Sequence, residues 1–272
     1  MLGVIATVGN VTLATLSGFG EFWRFVGRTW WWLLSGLGRP RDWRLLGPQF
    51  YEIGVRSVPV ILVTGAFVGM VLAVQAVHQF LQVGLEDRMG VLVNLSVVRE
   101  LGPVLAGVML AGRVGGALTA ELGTMNVTEQ IDALRSMGAD PIRYLVVPRF
   151  LACLILTPFL TVYTDLMGAL GGWFITVRIY SVASEPYWHY TAQAIENWDI
   201  MTGLLKALFF GGAIGLISCY KGFRCRGGAE GVGRACNAAF VASFIAILAL
   251  DFFLAVLMQG IYQAVWGFKP LL

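Results

Sequence analysis

Long apolar runs separated by short polar stretches organise this chain. A helix needs about 20 mainly apolar residues to cross a bilayer, and five runs qualify. Val58 to Val77 is free of charge, whereas Leu92 to Thr119 contains Arg99, Glu100 and Arg113. Tyr144 to Val177 is longer than one straight crossing, with Pro148 and Pro158 placed to bend it. Gly203 to Tyr220 and Ala235 to Trp266 complete the set, the last with Asp251 inside. Ahead of them Phe19, Phe22, Trp23, Val26, Trp30, Leu33, Leu34 and Leu37 recur at helical spacing, while Glu21, Arg24 and Arg28 fall elsewhere. This predicts an amphipathic helix in the membrane interface with its tryptophans at headgroup depth. A sixth span there is disfavoured by the charges at each turn. The expected fold class is an all-α integral membrane protein. Residues 1–50 form an N-terminal interfacial helix region, and residues 51–272 a domain of five transmembrane helices.

Composition agrees with this reading. The 272 residues are 57% hydrophobic and 13% charged, with mean hydropathy +0.74, and a soluble domain would expose more charge. The net charge of +3 is too small to suggest a nucleic-acid partner. Basic residues lie between the runs: Arg24, Arg28, Arg39, Arg41 and Arg44 before the first, Arg135, Arg143 and Arg149 after the second, Lys221, Arg224, Arg226 and Arg234 after the fourth. Lys and Arg accumulate in short cytoplasmic loops, so these regions and the N-terminus are expected in the cytoplasm. The stretches with Glu86, Asp87 and Arg88, and with Glu185, His189, Glu196 and Asp199, carry little positive charge and are expected outside, as is the C-terminus with Lys269. No basic region precedes an apolar core at the start, so a removed signal peptide is not expected and the mature chain should begin near Met1.

Small residues recur every fourth position as Gly65, Gly69 and Ala73; Gly112, Gly116 and Ala120; Gly168 and Gly172; Gly211 and Gly215. Helices approach closely along such rows, within one chain or between subunits. Between the second and third spans, Asn126 is placed to cap a helix whose third residue is Glu129. Val127, Ile131 and Leu134 share one face, and Gly138 offers a left-handed stop. Asp140-Pro141 then reads as the cap and first residue of the next helix. The expected product is a short amphipathic helix, Val127 to Met137, displaying Glu129, Asp132 and Arg135 toward a cytoplasmic partner.

An ionisable group within the hydrocarbon costs roughly 2.5–3.5 kcal/mol by insertion scales, so it usually faces a partner, a cavity or a transport path. That makes Arg99-Glu100-Leu101-Gly102-Pro103 the most informative stretch. The run Val98 to Val104, then Ala111-Gly112-Arg113, Leu118 to Gly123, Thr128-Glu129-Gln130, Asp140-Pro141 and Pro148-Arg149, resembles the MlaE/YrbE permeases of ABC-type lipid transporters. Gly65 to Leu72 and Leu250-Asp251-Phe252 support the resemblance, which extends from about Val55 to Leu257. It implies a homodimeric permease in the bacterial inner membrane, with phospholipid held at the dimer interface. It further implies separate cytoplasmic ABC ATPase subunits docked on the helix at 126–138 through Glu129, Asp132 and Arg135, a periplasmic ring of MCE-domain protein, a small cytoplasmic accessory subunit, and a contribution to outer-membrane lipid asymmetry. By the same resemblance Arg99 and Glu100 sit beside the lipid pocket. Arg99 would meet phosphate and Glu100 would hold Arg99 when the site is empty, with Leu72 and Phe80 lining the acyl-chain region. Arg113 and Glu121 read as structural, and Asp165 and Asp251 as acids bonding neighbouring helices. Some members carry another arginine one turn beyond Arg234, where this chain has Ala238.

No Gly-x-x-x-x-Gly-Lys-Ser/Thr loop occurs, so no cofactor is expected in this chain and ATP is expected in a partner subunit. The residues leave two rival functions. An ion or proton channel would use Arg99, Glu100, Asp165 and Asp251. An intramembrane enzyme has little to work with: two histidines, no His-Glu-x-x-His, no Gly-x-Ser-x-Gly, and Cys153, Cys219, Cys225 and Cys236 without metal-like pair spacing.

Overall fold

The computed structural model describes residues 2–36, 45–83 and 88–267. Leu37, Arg39, Arg41, Arg44, Glu86, Asp87 and Lys269, used above, lie outside the described residues. Among the described residues five helical stretches are long and apolar enough to cross a membrane. The first, Leu46–Val77, joins α2 (Leu46–Ile53) to α3 (Val58–Val83) through a tight turn at Val55–Ser57. The second, Met89–Val127, runs through α4 (Met89–Ser96), α5 (Gly102–Leu110) and α6 (Gly116–Val127). A short α7 (Gln130–Ser136) follows it. The third, Ile142–Ile179, is built on α8 (Val147–Trp173). Helix α9 (Ser184–Ala194) leads to the fourth, α10 (Asn197–Phe223), and the fifth lies within α11 (Gly228–Trp266).

Glycine sets how closely these helices pack. Helix α3 lies along α8, and a Cβ at Gly69 would stand 1.8 Å from the Gly168 carbonyl oxygen, one at Gly65 2.6 Å from that of Thr164. Gly211 is equally close to the Cys153 carbonyl, and Gly215 meets Phe150. Those rows are therefore intramolecular. Gly112 and Gly116 differ: a Cβ at the first would meet only the Phe240 ring at 3.6 Å, and at the second nothing within 4 Å. The buried core of Ile61, Leu110, Leu118, Leu160, Phe210 and Ile214 fills the space between the spans.

Helix α1 (Leu2–Gly36) is longer than its amphipathic pattern. Its apolar residues divide between two faces. Phe25, Val26 and Leu33 are buried against the spans, with Phe25 edge-on to Tyr220 and Phe223, whereas Phe19, Trp23, Trp30 and Leu34 remain exposed. Polar contacts fix the docking. Arg28 and the Trp32 indole both donate to Asp140 at 2.9 Å, and the Tyr220 hydroxyl donates to the Gly18 carbonyl.

The connector after the second span differs from the expected capped helix. The span continues without a break to Val127, so Asn126 is already helical and its amide donates to the Cys225 carbonyl instead of capping. The chain then turns at Glu129, which takes a left-handed conformation (φ 59°), and α7 begins at Gln130 without a side-chain cap. Ile131 is fully buried and anchors α7, while Asp132 and Arg135 pair with each other at 2.7 Å on its exposed face. The left-handed stop at Gly138 (φ 77°) and the Asp140 cap, whose carboxylate accepts from the Ile142 amide, are as the sequence predicts.

Candidate functional site

Four segments of the spans widen into π-helical turns: Val97–Leu101, Ala111–Gly115, Ile142–Val146 and Phe174–Ile179. Each holds one arginine. Such turns are often found at functional sites, and the first carries both Arg99 and Glu100. Its cause is visible in the sequence. Pro103 has no amide hydrogen, so it cannot bond the Arg99 carbonyl four residues earlier. The Lys206 ammonium reaches that carbonyl from α10 at 3.4 Å.

Arg99 and Glu100 do not pair with each other, contrary to the expectation for an empty site. Adjacent positions on a helix point about 100° apart, and each side chain meets a different partner. Arg99 grips Asp199, with Nε at 2.6 Å and Nη2 at 2.5 Å from the same carboxylate oxygen. The second Asp199 oxygen accepts the Glu196 amide, closing the capping box that starts α10. Glu100 meets the Lys206 ammonium at 2.5 Å, and Asp251 of α11 approaches the same ammonium at 3.0 Å. The charges that looked isolated in three spans thus form one centre, in which two cations face three carboxylates.

Burial separates the roles within this centre. The side chains of Asp199 and Lys206 are 1% exposed, those of Arg99 and Glu100 39% and 49%. Lys206 and Asp199 are the fixed inner partners. Arg99 is held along its Nε and Nη2 edge and keeps donors on the Nη1 side, a geometry suited to a second anionic oxygen. Glu196, beside it, accepts from the Tyr262 hydroxyl of α11 at 3.2 Å.

The other expected residues lie apart. Leu72 and Phe80 pack against a cluster of Ala73, Val77, Met89 and Val93 between the first and second spans. Arg113 ties its π turn to the first span, donating to Ser57 at 2.5 Å and to the Glu52 carbonyl. Glu121 holds the buried Arg149 at 2.6 Å. Asp165 presses against the backbone of Gly102, where a Cβ would lie 1.8 Å from its Oδ1, and that oxygen has no hydrogen-bond partner. Glu129, Asp132 and Arg135 stand exposed on and beside α7.

Lys206 escaped the sequence reading, although a lone cation in an apolar run carries the same signal as Arg99. The charge pattern places Asp199 in a connecting loop, yet it is the third residue of α10.

Five candidate spans around a charged centre define a multi-pass α-helical membrane protein with a polar site inside its bundle. The profile of the family described as Permease MlaE matches residues 46–257, and the chain belongs to that family. It is 40% identical over 248 residues to a probable ABC transporter permease protein of Rickettsia bellii, covering 91% of this chain and 95% of the relative. It is 37% identical over 245 residues to the intermembrane phospholipid transport system permease protein MlaE of Haemophilus influenzae, covering 88% and 94%. A third relative, the chloroplastic protein trigalactosyldiacylglycerol 1 of Arabidopsis thaliana, is 38% identical over 213 residues, covering 78% and 61%. The chain is a transporter subunit by family.

Proposed function

We propose that this chain is the permease subunit of an ATP-driven phospholipid transporter. It works as a homodimer in the bacterial inner membrane, with the arginine-rich end and N-terminus cytoplasmic and the C-terminus periplasmic. ATP binds in a separate ABC ATPase that docks on α7 through Glu129, Asp132 and Arg135, and a small accessory subunit joins it. Lipid passes between the membrane and a periplasmic MCE-domain ring, sustaining outer-membrane lipid asymmetry. The names of the relatives support the class. Its chemistry rests on one observation: Arg99 is anchored by the buried Asp199 along one edge and open along the other.

In this reading a lipid phosphate meets the free edge of Arg99, while Glu100 and Lys206 set the local charge and Leu72 and Phe80 border the acyl chains. A charge-assisted contact of this kind contributes about 1.5–3 kcal/mol. Phospholipid co-purified with Arg99→Leu, measured by mass spectrometry and normalised to folded protein, should therefore fall about tenfold or more. Arg99→Lys should recover only part, because an ammonium lacks the planar fork. Equal lipid in the wild type and Arg99→Leu would overturn the assignment.

A further inference from the structure

A second charged recess lies away from the Arg99 centre. It is a cavity of about 470 Å³ at the end of the bundle where the fourth span finishes and the third begins, closed on one side by α1. Four guanidinium groups from three elements line it: Arg24 and Arg28 of α1, Arg135 of α7, and Arg224 just beyond α10. Phe25 and Tyr220 supply apolar wall.

Three of these arginines already have carboxylate partners. Arg28 holds Asp140, Arg135 holds Asp132, and Arg224 holds Glu21 at 2.8 Å while also donating to Tyr220. Arg24 has no acidic partner among the described residues. Four cations around Glu21 and Asp140 leave the recess positive, and the free guanidinium faces a volume too large for a single water. Arginine forks match phosphate oxygens in pairs.

We infer that this recess is a binding site for a phosphate-bearing anion, with Arg24 as its primary contact and Arg28 and Arg224 framing it through their ion pairs. The phosphate comes from a lipid headgroup, at the depth where two spans end, or from a soluble phosphate ester. Because the recess is walled by α1 and α7 together, occupancy would brace the N-terminal helix against the connector. The inference is independent of what Arg99 binds.

The test uses the purified full chain in two settings. In detergent, glycerophosphoglycerol is titrated and followed by thermal unfolding and by native mass spectrometry. In nanodiscs, lipid retention is compared between phosphatidylglycerol and phosphatidylcholine. Arg24→Gln removes the free cation without breaking an ion pair. Arg234→Gln, outside the recess and paired only with Glu230 on the exposed surface, controls for general charge. Saturable binding of the soluble ester, weakened about tenfold by Arg24→Gln and unchanged by Arg234→Gln, supports the site with a soluble source. The same variant dependence seen only with phosphatidylglycerol supports it with a lipid source. Equal effects of the two substitutions, or no saturable binding in either setting, would overturn it.

Discussion

Lys206 is the residue on which the charged centre depends. Its ammonium is the contact shared by Glu100, Asp251 and the carbonyl that Pro103 leaves unbonded. Replacing it by Met would leave the partly buried Asp251 and the half-exposed Glu100 without their cation; removing one partner of a fully buried pair costs about 3–5 kcal/mol, which the exposure of Glu100 lowers here. Thermal unfolding in detergent should therefore drop much further for Lys206→Met than for Arg135→Gln, whose ion pair is exposed and worth about 0–1 kcal/mol. Comparable midpoints for the two variants would show that the centre is solvated and Lys206 dispensable. A single sequence marks each of these charges as unusual but does not say which spans are neighbours. That is why Arg99 and Glu100 read as a pair, when the real pairings cross about 100 residues of chain.

Among the elements, α3 and α8 show how little room the fold leaves. Gly69→Ala places a methyl group against the backbone of α8, where no side chain can move aside. Overpacking of this kind costs about 1–3 kcal/mol, so the variant should unfold at lower temperature, whereas Gly116→Ala, facing open space, should not. Helix α1 is attached differently, through Asp140. Partial burial raises the pKa of that carboxyl, but the Ile142 amide, the Trp32 indole and Arg28 together outweigh it and hold the group below its ordinary value. A depressed carboxylate contributes stability above its unfolded pKa of about 3.9 and loses it as pH falls through the folded value. Hydrogen exchange in α1 should therefore quicken below about pH 4. Asp140→Asn should show the faster exchange already at neutral pH, and unchanged exchange in that variant would refute the tether. The element boundaries were largely legible, since apolar length alone marks a span. The cap of α7 was not, because Asn126 and Glu129 carry the right letters but the preceding span runs on past Asn126 to Val127 and Glu129 becomes the left-handed turn.

At the scale of the whole molecule, the concentration of arginine predicts the orientation. With the native cysteines replaced, a cysteine at Glu185 in α9 should react with an impermeant thiol reagent added outside intact cells, and one at Ser136 in α7 should not. The reverse pattern would invert the protein and separate α7 from any cytoplasmic ATPase. If α7 does dock that ATPase, reversing the charges of Glu129 and Arg135 together should abolish co-purification and coupled ATP turnover while the five spans stay folded. Unchanged lipid movement driven by ATP would sink the docking role. The family profile ends at residue 257 while α11 runs on to Trp266, so the last turns of the fifth helix, including Tyr262 with its contact to Glu196, lie beyond the residues it matches.

The π turns give the second span an unusual sensitivity to length. A π turn holds one residue more than the helix around it requires, and each residue of an α-helix advances the chain by about 100°. Deleting one residue within Val97–Leu101 would let that turn relax into ordinary helix, a local gain in regularity. Everything before it would then rotate by most of a third of a turn relative to everything after it. Arg99 could face Asp199, or Arg113 could face Ser57, but both could not be satisfied at once. The extra residue is thus a registration mark that sets the two charged levels of one helix in phase with different neighbours, and insertions or deletions should be tolerated far less there than substitutions.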